Sequence, residues 1–215
     1  MLFSRSPDVL IAVALVLLIS LPFHEFSHAL AAYRLGDSTA KYMGRLTLNP
    51  LAHLDPFGAL LILLAGFGWA KPTPYNPYNV RGGKNGEVII AIAGPISNLV
   101  LAIAGALPLR YILATGMDVP VIALNVLGTF VQLNVILAVF NFIPIPPLDG
   151  SKLLYAVLSP QAERQWRPVL DQYGFIILFA AMLLPILPGG QTIVSLVFQQ
   201  VAEPILDLLI GLGPV

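Results

Sequence analysis

Cysteine is absent from this chain of 215 residues, and charge is scarce: 10% of the residues are Asp, Glu, Lys or Arg, while 57% are hydrophobic. Without cysteine the redox compartment cannot be read, and any metal must be held by His, Asp or Glu. A soluble domain carries about 25% charged residues. The shortfall, with a mean hydropathy of +0.84, makes the chain a polytopic membrane protein. Its acidic and basic residues balance to a formal net charge of zero, which argues against nucleic acid as a partner. No internal repeat is visible, whereas transporters are commonly built from paired half-repeats with broken helices in matching positions. At this length there is no room for an added soluble domain, and we expect one unit over 1–215, with a core over about 8–150 and interfacial and membrane segments over 151–215.

Apolar runs are what the chain has in abundance. The first extends from Val9 to Leu35, with Pro22 inside it. Arg5 ahead of this run and Ala29-Leu30-Ala31 beyond it superficially resemble a cleavable leader, but we take the segment as retained. Phe57–Ala70, Val88–Leu113, Val121–Ile145, Tyr173–Leu187 and Thr192–Leu212 follow. Spanning takes about 20 residues, and runs of roughly 10–14 are more often re-entrant or interfacial. Phe57–Ala70 is short and carries Gly58, Gly66 and Gly68, so it is expected to dip into the membrane and return. Arg45–Pro50 alternates like a short strand. Ser151–Gln172 reads as an amphipathic stretch broken at Ser159-Pro160. The expected fold is therefore an all-α polytopic membrane protein: about five transmembrane helices, a re-entrant segment and a short β-strand region near the site.

The basic residues orient this arrangement. With Phe57–Ala70 re-entrant, Arg34, Lys41, Arg45, Lys71, Arg81, Lys84, Lys152, Arg164 and Arg167 share one side, leaving Arg5 and Arg110 on the other. Such a bias marks the cytoplasmic face. A crossing at 57–70 would weaken it, and would also put Asp149 on the opposite face from the end of the first helix.

That end carries His24-Glu25-Phe26-Ser27-His28. Histidines four apart on a helix share a face and can take neighbouring positions on Zn²⁺. A glutamate beside the first can serve as general base. Ionisable groups at membrane depth are costly, so they read as functional. A catalytic zinc usually has three protein ligands. Asp149 is the candidate third, at the end of Asn141-Phe142-Ile143-Pro144-Ile145-Pro146-Pro147-Leu148-Asp149-Gly150. Three prolines there unwind the chain, and unwound backbone at membrane depth is tolerated where it is packed in protein or lines a cavity. A terminated helix followed by a surface Asp-Gly turn is the competing account.

The intramembrane His-Glu-x-x-His together with the later Asn-x-x-Pro-x-Pro-x-x-Asp-Gly resembles the site-2 protease family of intramembrane zinc metalloproteases. Gly94-Pro95-Ile96-Ser97-Asn98 matches a further element of that family, and the likeness runs from about Leu21 to Ser151. The resemblance implies one Zn²⁺ held by His24, His28 and Asp149, with Glu25 moving the proton. It implies transmembrane segments of other proteins as substrates, cut within the lipid bilayer. The enzyme would be a multi-pass protein of the cell membrane with its site toward the cytoplasm. A zinc-binding membrane protein without peptidase activity, transporter or chaperone-like, is the alternative.

Three further residues are candidates for contact with substrate or transition state. Asn141 and Asn98 could each hydrogen-bond a scissile carbonyl, against the simpler account of interhelical hydrogen bonding. His53, expected to be solvated in its loop, could reach the mouth of the site.

Overall fold

The run containing Pro22 folds as one helical path: α1 (Pro7–Leu15), a π turn over Val16–Ser20, and α2 (Leu21–Arg34). The computed structural model describes residues 6–65 and 68–211. Proline has no N–H to offer the preceding turn, and its ring crowds the carbonyl four residues back. The turn before it therefore widens, and the Leu21 N–H bonds the Val16 carbonyl instead. The same device recurs near the other end, where a π turn over Phe198–Ala202 precedes Pro204.

Two short helices, α3 (Thr39–Tyr42) and α4 (Pro50–His53), follow α2, and α5 (Pro56–Ala65) is ten residues long. The chain then returns to its point of entry. Leu54 pairs antiparallel with Ala70, and the Lys71 N–H donates to the His53 carbonyl at 2.7 Å. The residues that flank the segment thus lie side by side. Arg45–Asn49 does not form the expected strand; among the described residues, extended pairing is limited to isolated bridges. A strand needs a continuous partner, and Arg45 instead spends its guanidinium on the Lys71 and Pro72 carbonyls.

The long α6 (Lys84–Thr115) and α7 (Val121–Asn141) pack against each other. Ala102 and Ala106 of α6 meet Val131, Val135 and Val139 of α7, small residues that let two backbones approach closely. α1 lies on α7, and α2 on α6. After α7 come α8 (Gly150–Val157) and α9 (Pro160–Leu183), which Ser159 caps through its side chain. The pair α10 (Ile193–Val197) and α11 (Glu203–Ile210) completes the bundle around the second π turn.

Among the described residues, four helices are long and apolar enough to cross a membrane: Pro7–Arg34, Lys84–Thr115, Val121–Asn141 and Ile193–Ile210. The expectation was about five. Tyr173–Leu187 falls short because its helical part is the apolar end of α9, whose first half carries Glu163, Arg164, Arg167 and Asp171. Arg5, Gly66 and Leu212 lie outside the described residues. Burial is inverted relative to a soluble protein. Leu18 and Val100 are 52% and 58% exposed while Asn98 and Asn134 are fully buried, the distribution of an all-α protein whose outer surface meets lipid.

Candidate metal centre

Two histidines enter the site from α2 because a four-residue step returns to the same face of a helix. Both are buried, and their rings meet edge to face with centroids 4.6 Å apart. Gly94 of α6 makes the space for them: a Cβ there would fall 2.6 Å from the His24 Nε2. Each imidazole is fixed from behind. His24 Nδ1 stands 2.6 Å from the Asn98 Oδ1, and His28 Nδ1 stands 2.7 Å from the Ile90 carbonyl. Both partners are oxygens that only accept, so each Nδ1 carries the proton and each Nε2 presents a lone pair.

Asp149 arrives from the other side. The helix of α7 ends at Asn141, and the proline-rich stretch turns tightly, with Leu148 N–H donating to the Ile145 carbonyl. Ile143 and Leu148 flank the turn and bury themselves against Leu178, Ala181 and Val194. That packing delivers the carboxylate. Its Oδ2 lies 3.1 Å from the His24 Nε2 and 3.2 Å from the His28 Nε2, and the two Nε2 atoms are 3.0 Å apart. Oδ2 is buried and accepts no hydrogen bond. Three electron-pair donors thus converge with no proton among them, which a cation satisfies at once. Tetrahedral ligands on zinc, at about 2.0–2.2 Å, stand roughly 3.3–3.6 Å apart. The observed triangle is only slightly tighter, so these residues fit a zinc ion.

Glu25, one residue after His24, points to the non-helical segment over 70–76. Its Oε2 accepts from the Thr73 N–H at 2.8 Å and stands 2.8 Å from the Thr73 hydroxyl, which also lies 3.0 Å from the Glu25 carbonyl. That segment is tied down farther along by Asp37, whose carboxylate accepts from the Asn76 N–H at 2.8 Å and from the Asn79 amide. Burial alone would raise the pKa of Asp37. Hydrogen bonds from Thr39, Asn76 and Asn79 outweigh it and hold the group below the ordinary carboxylate range.

Of the expected site residues, the structure brings His24, His28 and Asp149 together, with Glu25 beside them. Asn98 is close but stands behind His24, its oxygen on the imidazole and its nitrogen donating to Asn134 at 3.2 Å. Its amide makes the interhelical hydrogen bonds that the simpler account gives it. Asn141 donates to the Leu137 carbonyl one turn earlier in its own helix, and takes no part in the hydrogen bonds joining the cluster. His53 is corrected outright: it is fully buried, with Nε2 2.7 Å from the Thr47 carbonyl, because its loop folds back onto α2. Thr73, Asn134 and the space at Gly94 were not foreseen. Asn134 had a visible signal, an amide midway along an apolar helix; Thr73, in a proline-rich loop, had none.

The family model described as peptidase family M50 matches residues 111–185, a stretch containing Asp149. "Putative zinc metalloprotease YwhC" of Bacillus subtilis is 39% identical over 204 residues, covering 89% of this chain and 93% of its own. "Putative zinc metalloprotease Rip2" of Mycolicibacterium smegmatis is 34% identical over 175 residues, covering 79% of this chain and 66% of its own. "Zinc metalloprotease MJ0392" of Methanocaldococcus jannaschii is 27% identical over 145 residues, covering 67% of this chain and 34% of its own. No solved structure matches the chain.

Proposed function

This chain belongs to peptidase family M50, the site-2 proteases, and on that premise we propose that it is a zinc-dependent intramembrane endopeptidase. Its substrates are transmembrane segments of other membrane proteins, cut near the cytoplasmic face of the cell membrane. The observation that carries this is the triangle of buried His24 and His28 with half-buried Asp149, in a protein with four membrane-length helices among its described residues. These three hold the zinc, and the chemistry resides within residues 8–150. The cytoplasmic placement rests on the lysines and arginines that cluster on the site's side of the first helix.

Zinc, when bound, polarises a carbonyl oxygen and lowers the pKa of water to about 7. Glu25 takes the proton that water loses as its oxygen adds to the scissile carbonyl carbon. It returns that proton to the amine nitrogen as the C–N bond breaks. Thr73 keeps the carboxylate aimed through Oε2. A helical substrate hides its carbonyls, so the segment to be cut must unwind, and the non-helical backbone over 70–76, bonded to Glu25 through Thr73, offers a surface beside which it can straighten. Asn141, at the mouth of the proline-rich turn, is the residue we assign to substrate contact.

The deciding experiment reconstitutes the full chain in vesicles with a transmembrane substrate. Glu25→Gln is expected to retain zinc and lose cleavage. Continued cleavage by that variant would rule out Glu25 as the base, and zinc retained by His24→Ala would rule out the metal site.

A further inference from the structure

Asn134 is fully buried at mid-length in α7, and nothing in the proposed chemistry uses it directly. Its Nδ2 donates to the Phe130 carbonyl at 2.9 Å, and its Oδ1 accepts from the Asn98 Nδ2 at 3.2 Å. The order of donors along this chain of bonds is forced from one end. A backbone carbonyl can only accept, so Asn134 must turn its nitrogen toward Phe130 and its oxygen toward Asn98. Asn98 must then donate from nitrogen, which leaves its oxygen facing His24. His24 in turn must carry its proton on Nδ1, and its Nε2 is left as a lone pair aimed at Asp149. Were the Asn98 amide reversed, a donor would face Nδ1, the proton would move to Nε2, and His24 would cease to be a metal ligand.

We propose that Asn134 is a positioning residue for the metal site, setting the tautomer of His24 through Asn98. The inference rests on the metal-site assignment above. It also exposes a difference between the two histidines. His28 is fixed by the Ile90 carbonyl, which has one polarity by nature. His24 is fixed by a side-chain amide, which is reversible unless something else holds it. Partners of ligating histidines typically contribute about 10–100-fold to metal affinity.

The test is zinc retention against a competing chelator by the full zinc-loaded chain in nanodiscs, with thermal unfolding measured beside it. Asn134→Leu keeps the shape and removes both polar contacts; it is expected to loosen zinc about 10–100-fold. Asn134→Asp, protonated on the oxygen that faces the Phe130 carbonyl, keeps its other oxygen facing Asn98 and is expected to stay within about threefold of wild type, because the acceptor that sets the order survives. In an Asn98→Asp background, where either oxygen accepts from Nδ1, adding Asn134→Leu is expected to change little. If the leucine variant does not fold, Asn134→Ala serves in the same comparison. Wild-type retention by the apolar variant, equal loss in the leucine and aspartate variants, or an undiminished loss in the Asn98→Asp background would each overturn the proposal. A His24→Ala variant separates the two levels: if it binds zinc as wild type does, the metal-site assignment fails, and not this inference alone.

Discussion

The site is built from two unlike halves. His24, His28, Asn98 and Asn134 sit on long helices and are held by fixed, buried bonds. Asp149 and Thr73 come from non-helical stretches, one a proline-rich turn and the other a strap closed by Asp37. In the helical half, backbone position is dictated by α2 packing on α6, so a side chain has little freedom once the helices meet. In the other half, position depends on a few hydrophobic anchors and hydrogen bonds. The difference teaches where tolerance resides: the helical half should fail by steric intrusion, the loop half by loosening.

Gly94→Ala tests the first half hardest. Its methyl group would enter the space of both imidazoles, and misplacement by about 1 Å can cost roughly 10²-fold in rate. Zinc content and cleavage should fall together; a variant with normal zinc would contradict the close approach. Gly150→Ala acts on the second half, where the obstacle is backbone rather than side chain. A Cβ there meets the Phe142 and Ile143 carbonyls, displacing the Asp149 turn, and we expect a loss of zinc retention of about 10-fold or more. Unchanged retention would mean that the turn can shift without moving Asp149.

Acid should act on the strap before the helices. Asp37 has a depressed folded-state pKa, so its contribution is full above the unfolded value of about 3.9 and is lost as pH falls through the folded value. Asp37→Asn should flatten the fall in thermal stability below about pH 4 that wild type shows. An unchanged acid profile would mean the strap is held otherwise. Thr73→Val removes the hydroxyl and leaves the backbone N–H on Glu25. One hydrogen bond is worth about 0.5–1.5 kcal/mol, so cleavage should drop only about 2–10-fold, with Thr73→Ser restoring it and zinc binding unmoved.

Much of the helical half was legible in the sequence because its signals are periodic. A four-residue histidine spacing is a statement about one helix face, and it survives whatever the rest of the chain does. Asp149 was legible through its prolines, which announce broken backbone. Asn98 was legible as a polar group of α6 with interhelical hydrogen bonding as its simpler account, but spacing within α6 does not reveal which neighbour it will meet. Thr73 escaped because its bond to Glu25 joins residues 48 apart through a backbone N–H, and backbone donors carry no sequence signature. The strand expected at Arg45–Pro50 failed for a related reason: alternation shows that a strand is possible, while only a partner makes one.

The widened turn over Val16–Ser20 has a consequence for the whole first helix. Each residue of an α-helix advances about 100° around its axis, so one extra residue in a turn shifts the angular phase of everything before it against everything after. That shift lets Val13 of α1 and Leu17 of the widened turn point inward beside Leu133 of α7 while α2 shows its histidines to α6. Removing a single residue from this stretch would leave both halves helical and equally oily, yet clocked against each other, so that one of them would have to turn its working face toward lipid.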